Sequence, residues 1–209
     1  MPWNWSNNVT PRNERRHSLL ILLLFVLVLS ACSGLTQSNK PMVTRWWLEP
    51  YVSNAQAAEA ESVVTVALTI KAVPGLDSDQ VLTLSTDAQL KPYSGARWVD
   101  HAPELLGSLI GRSMETDGRF KVLTERSGWG AENCELQLEV REFFADLDSA
   151  GRTTRVRVAL EGRYQCGSAP AVEIKSGAQV VVTEERMNVI VAAFQQALNQ
   201  VIKDILEQL

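Results

Sequence analysis

The apolar positions of this 209-residue chain fall into three patterns. Ser18 to Leu29 is almost unbroken hydrocarbon, with Leu19 to Leu24 followed by Phe25-Val26-Leu27-Val28-Leu29. Later segments alternate with period two, as strands do, and two others repeat near 3.6, as amphipathic helices do. Arg45-Trp46-Trp47-Leu48-Glu49-Pro50 reads as a short strand ended by Pro50. Val63 to Ile70 has the β-branched enrichment of a strand, closed by Pro74-Gly75, and Val81 to Ser85 is a second, with residues 86 to 90 turning back as the other arm of a hairpin. A helix then opens near Asp100, tolerates Pro103 in its first turn and aligns Leu105, Leu106, Leu109, Ile110 and Met114 on one face. Gly118 is placed to end it in the left-handed conformation, and Phe120 to Thr124 follows as a short strand.

The second half alternates more regularly. Cys134 to Phe144 and Thr153 to Cys166 are strands joined by the turn-like Asp146-Leu147-Asp148-Ser149-Ala150-Gly151. Pairing them symmetrically about Ala150 sets Cys134 opposite Cys166, Leu136 opposite Tyr164 and Val140 opposite Leu160, so the apolar faces coincide. It also opposes Glu139 to Glu161, with Arg141 and Arg163 placed diagonally to offset the repulsion. Another strand covers Ala171 to Thr183, with a bulge or tight turn expected at Ser176-Gly177. A closing helix from Met187 to Leu206 gathers Ile190, Phe194, Ala197, Leu198, Val201, Ile202 and Ile205 in one stripe. The expected fold class is α+β, a two-layer single domain whose mixed or antiparallel sheet carries both helices on one face.

The apolar run near the start has a different meaning. Arg15, Arg16 and His17 flank it, and it is shorter than the roughly 20 residues that span a bilayer, so it reads as a secretory signal rather than a permanent membrane helix. Leu29-Ser30-Ala31-Cys32 resembles a lipobox, the cleavage site of bacterial lipoprotein signal peptides. That resemblance implies removal of residues 1–31, a diacylglyceryl group on the Cys32 thiol and acylation of its new amine. Two or more acyl chains suffice for stable anchoring. Ser33, where Asp would retain the protein at the inner membrane, implies by the same resemblance an outer-membrane destination. Residues 32–44 then form a lipidated polar tether, with a coil reach of about 20 Å, and 45–209 the folded domain.

Composition sharpens this division. Without Arg12, Arg15, Arg16 and Glu14 the mature chain holds 17 basic against 23 acidic residues, a net charge of −6 that offers no basic patch to nucleic acid. Of three cysteines, Cys32 takes lipid, leaving Cys134 and Cys166 to form a cross-strand disulfide in an oxidising compartment. His101 is the mature chain's lone histidine, and its place in a helix's first turn suits a surface polar residue better than a general base. With His and Cys this scarce, no metal site or cofactor is expected. Asp146, Asp148 and Gly151 resemble a calcium loop weakly, but Ala150 stands where an oxygen ligand is needed, so a hairpin turn is the better reading. The aromatic pairs carry two readings each. Trp46 and Trp47 must point to opposite faces of a strand, one toward the core and the other toward lipid, a partner or a covering helix, while Arg97-Trp98 either plugs the core or meets a partner.

Several short motifs together resemble the ABC-type transport auxiliary lipoproteins, the PqiC-like group. They are the lipobox, Arg45-Trp46-Trp47-Leu48, Arg97-Trp98-Val99-Asp100 with Pro103-Glu104-Leu105-Leu106, Gly118-Arg119-Phe120-Lys121-Val122, and Ala192 to Leu198. The resemblance implies a non-enzymatic outer-membrane lipoprotein facing the periplasm. It also implies partners among ABC transporter or MCE-domain components that move lipid between membranes, and leaves assembly into homo-oligomeric rings open. The alternatives are a small lipid-binding carrier and a regulator of an envelope enzyme.

Overall fold

The computed structural model describes residues 42–52, 63–123 and 134–209. The expected leader and Cys32 lie outside them, as do residues 53–62 and 124–133. Eight strands and two helices follow in the order β1 (Thr44–Trp46), β2 (Val64–Ala72), β3 (Gln80–Leu84), β4 (Leu90–Trp98), α1 (Ala102–Asp117), β5 (Phe120–Leu123), β6 (Cys134–Leu147), β7 (Thr153–Cys166), β8 (Val172–Val181) and α2 (Met187–Gln208). The sheet is mixed and not closed into a barrel.

Its axis is the long hairpin β6–β7. Along one side of β6, β7 pairs antiparallel and β8 continues beyond it; along the other, two shorter groups share the edge. The parallel strand β2 covers Cys134 to Val140 and carries β5, whereas the parallel β3 covers Phe144 to Asp146 and carries β4 and then β1. The border between the two groups coincides with a bulge at Arg141. Cys134 pairs with Cys166 and Val140 with Leu160 in the register expected from the turn, but Glu142 pairs with Ala159. One residue is added on β6 at Arg141 and one on β7 at Thr154, so the second bulge restores the first register at Leu147 and Thr153. Between the bulges the β6 side chains change faces. Phe143 therefore turns to the core, while Phe144 lies under the Arg157 guanidinium, 4.6 Å from its ring centre, on the opposite face.

Both helices occupy one face, as the registers show. Leu68, Leu136, Tyr164 and Val172 share one rung and Ala72, Val140, Leu160 and Ser176 another, four residues further along and hence on the same side. At the first rung α1 brings Gly111 against Leu68; at the second, Ser176 Oγ donates to Asp204 Oδ2 of α2 at 3.2 Å. The α2 stripe from Ile190 to Ile205 is buried against β7 and β8. The opposite face is polar. Arg141 reaches Glu139 at 2.8 Å and Glu161 at 3.2 Å, and Lys175, rather than Arg163, completes the offset of the paired glutamates. Arg163 instead donates to Gln137 Oε1 at 2.9 Å. Close approach of the two central strands leaves no room for a side chain at Gly162, where a Cβ would lie 1.9 Å from the Gln137 carbonyl oxygen.

Several local expectations change. The hairpin arm expected to stop at residue 90 continues as β4 to Trp98. Pro92 and Gly95, which has φ of 72°, break the alternation that would have marked it, and two residues of β3 are matched by five of β4. The strand expected over Arg45 to Pro50 ends at Trp46. The helix cap is His101 rather than Asp100, whose Oδ1 accepts from the His101 N–H at 2.9 Å. Strand β8 runs without interruption through Ser176 and Gly177, because Gly177 fits closely over Ala159 and Ser176 finds its partner on α2. Gly118 ends α1 with φ of 84°, as expected.

Candidate functional site: a paired arginine–tryptophan ladder

The two Arg-Trp dipeptides meet in space. β1 pairs parallel with β4 so that Thr44 faces Ala96, Arg45 faces Arg97 and Trp46 faces Trp98. Val99 N–H donates to Trp46 O at 3.2 Å and Trp98 N–H donates to Asp79 O at 2.7 Å, which joins the ladder to the chain before β3. Strand periodicity then separates it into two rows, with the tryptophans inward and the arginines outward.

The inward row belongs to the core. Trp98 is fully buried, with its ring 5.2 Å from Phe143 of β6 and 5.0 Å from Phe194 of α2, and those two rings stand 5.1 Å apart. This triangle ties three elements that are distant in sequence. Trp46 packs against the same core, half-buried. Both indole Nε1–H groups are buried without a hydrogen-bond partner among the described residues. An unpaired buried donor costs about 1–3 kcal/mol, so these side chains are held by their area and ring packing.

The outward row is different. The Arg97 guanidinium pairs with Asp79, and Arg45 Nη1 lies 3.5 Å from both the Trp98 and Val99 carbonyl oxygens, the outer limit of hydrogen bonding. Trp47, just beyond β1, is 55% exposed, and Val43 and Met42 at the other end are 47% and 91% exposed. The following residues are strapped to the helices. Leu48 is fully buried, Gln195 of α2 accepts from Glu49 N–H at 2.7 Å and donates to Glu49 O at 2.9 Å, and Ser113 Oγ of α1 accepts from Tyr51 N–H at 2.9 Å. The strap holds Trp47 at the surface without burying it. Sequence spacing gave no hint of this pairing, since 50 residues lie between the two dipeptides.

The other singled-out residues lie elsewhere. Cys134 and Cys166 form a disulfide at the start of the central hairpin. At its turn Asp148 Oδ1 accepts from the Ala150 and Arg152 N–H groups, both at 2.9 Å, while Asp146 is engaged by Arg155 and Arg157. The Asp148 carboxyl is held below the usual range, first by the Arg152 backbone N–H. That is the chemistry of a capped turn. His101 Nδ1 lies 3.1 Å from Asp77 Oδ1, and this hydrogen bond raises the imidazole pKa. Glu104 joins them, the ligand atoms of the three lying within 4.8 Å of one another, and all three side chains are exposed. Sequence reading did not bring Asp77 to His101, because the approach depends on how the chain before β3 meets the α1 cap.

The family model for the ABC-type transport auxiliary lipoprotein component matches residues 48–206, and the chain belongs to this family. No curated protein matches. A crystal structure of a Xanthomonas campestris protein is similar over 79% of this chain and 92% of its own, at 20% identity and a TM-score of 0.62. A second, described as an uncharacterized protein, is similar over 80% of this chain and 98% of its own, at 11% identity and a TM-score of 0.62. These two likenesses concern the fold. Among the described residues, no helix is long and apolar enough to cross a membrane.

Proposed function

We propose that this protein is a non-enzymatic accessory lipoprotein that seats an ABC or MCE-type lipid transport assembly at the outer membrane, facing the periplasm from the lipid on Cys32. The observation that carries the docking part is the outward row of the ladder. Arg45 and Arg97 are paired in the register and the exposed Trp47 follows two residues after Arg45, all residue types that recur in interface hot spots. The inward row fixes that patch to the core through Trp98. Membership of a transport auxiliary lipoprotein family supports an accessory role. The MCE-domain partner and the outer-membrane site rest on the resemblance and on Ser33 after Cys32.

The test is photo-crosslinking in cells with a benzophenone amino acid at position 47. The expected product is a single adduct with an ABC or MCE-domain component, reduced by Arg45→Glu. Its absence, or crosslinks to lipid alone, overturns the docking role of this patch. Separately, a Cys32→Ser variant is expected to leave the outer-membrane fraction, and retention there with full function overturns the anchor.

A further inference from the structure

β8 is the long outer edge of the sheet. Among the described residues it pairs with β7 alone, whereas the edge strands β1 and β5 are three and four residues long. Natural edges are blunted by shortness, proline, bulges or charge, because a bare row of N–H and C=O groups invites another strand. β8 runs for ten residues without a shift in register, and Ser176 to Thr183 contains neither a proline nor a charged residue. Val181 at its end is 74% exposed.

The outward groups of β8 follow from its pairing with β7. Val182 N–H bonds inward to Thr154 O at 2.9 Å, so alternation turns the N–H and C=O of Lys175, Gly177, Gln179 and Val181 away from β7. The Gln208 carboxamide of α2 already meets the first of these, accepting from Lys175 N–H and donating to Lys175 O, both at 3.2 Å. An amide thus occupies one rung with the two bonds of a neighbouring strand. The outward backbone groups of Gly177, Gln179 and Val181 have no such partner among the described residues.

We infer that the β8 edges of two copies of this chain pair antiparallel about a two-fold axis at Gln179. Gly177 then opposes Val181 of the second copy, Gln179 opposes its own counterpart, and each pair exchanges two hydrogen bonds. Every open rung is used, and Gln208 keeps its place at Lys175. Side chains agree with that register. The exposed Val181 falls beside a glycine that lies over Ala159, and the Gln179 carboxamides, able to donate and to accept, meet each other. A register moved one rung toward Lys175 would have to displace Gln208. The contact is isologous and closes at two copies, which sets it apart from a ring. It is independent of the docking proposed for the ladder, which lies at the opposite edge of the sheet.

Cells producing the whole chain with Gln179→Cys provide the test. Opposed residues of a hydrogen-bonded pair stand about 5.5 Å apart at Cα, within the range that a disulfide bridges. With Cys134 and Cys166 already bonded, mild oxidation of the membranes is expected to give a reducible dimer whose linked peptides both contain position 179. Val181→Cys places its thiol about 13 Å along the strand from its counterpart and Glu173→Cys further still, so each is expected to give about tenfold less. In the Gln179→Cys background, Val181→Pro removes only an outward N–H and is expected to lower the dimer about tenfold, while Val181→Thr retains it. Thermal melting and an intact Cys134–Cys166 bond establish that each variant is folded. A folded Gln179→Cys protein that stays monomeric overturns the inference. So do equal dimer from Val181→Cys or Glu173→Cys, which is the mark of random collision, an undiminished dimer with Val181→Pro, and a link from position 179 to another protein in place of a second copy.

Discussion

Trp98 ends one strand of the small ladder and Trp47 follows the end of the other, yet one is fully buried in an aromatic triangle and the other is 55% exposed. Their residue type is identical, and their difference comes from position. Trp98 ends a strand whose neighbour β3 is tied into the core, while Trp47 follows a three-residue edge strand and precedes a strap pinned to both helices. The pairing of Arg45 with Arg97 therefore displays a surface whose position is set by tryptophans beneath it. Stability rests on the inward face of the ladder, and the docking proposed above uses the outward one.

Substitutions should separate those faces. Trp98→Ala is expected to cost about 3–5 kcal/mol, since it removes the shared member of the triangle. Trp47→Ala is expected to change stability by less than about 0.5 kcal/mol while weakening the partner crosslink. Denaturant titration of both variants checks the contrast, and similar losses in the two would erase it. A covalent reference comes from the hairpin end remote from its turn. Replacing Cys134 and Cys166 with alanine is expected to cost about 4 kcal/mol by releasing a 32-residue separation in the unfolded chain. The same titration measures it, and the partner crosslink at position 47 should survive.

Trp46→Phe sharpens the account of the inward row. It removes a buried N–H that has no partner while keeping an aromatic ring, so the expected change is within about 1 kcal/mol. A loss as large as that of Trp98→Ala would mean that the indole nitrogen is bonded. The smallest effect lies beside the ladder, at the α1 cap. His101 has its pKa raised by the hydrogen bond that its Nδ1–H donates to the Asp77 carboxylate, so its contribution to stability is complete below the unfolded value near 6.5 and disappears as pH rises through the raised folded value. Imidazole NMR titration is expected to show that elevation in the native protein and to lose most of it in Asp77→Asn. An unshifted His101 would separate the two side chains in solution.

Much of the fold is legible in local pattern. The alternation of Cys134 to Val140 against Val156 to Cys166 locates the central hairpin, and a turn centred at Ala150 gives the disulfide register directly. The stripes of α1 and α2 are equally plain because each buries one continuous face. Strand β4 is obscured by Pro92 and Gly95, whose irregular pairing carries no period. Phe143 and Phe144 are adjacent and equally apolar, so only the bulge at Arg141 decides which enters the core.

The candidate site divides in the same way. Sequence alone determines that Trp46, Trp47, Arg97 and Trp98 are unusual residues in short extended segments, that Cys134 can meet Cys166, and that the chain is acidic overall. These follow from composition and from periods a few residues long. Tertiary structure decides that Arg45 stands beside Arg97, that Trp46 and Trp98 turn inward while Trp47 stays exposed, and that α1 brings Gly107 and Gly111 close against Ile70, Leu68 and Val122. Parallel pairing joins strands that no tight turn connects, so its register is fixed by packing over the whole sheet.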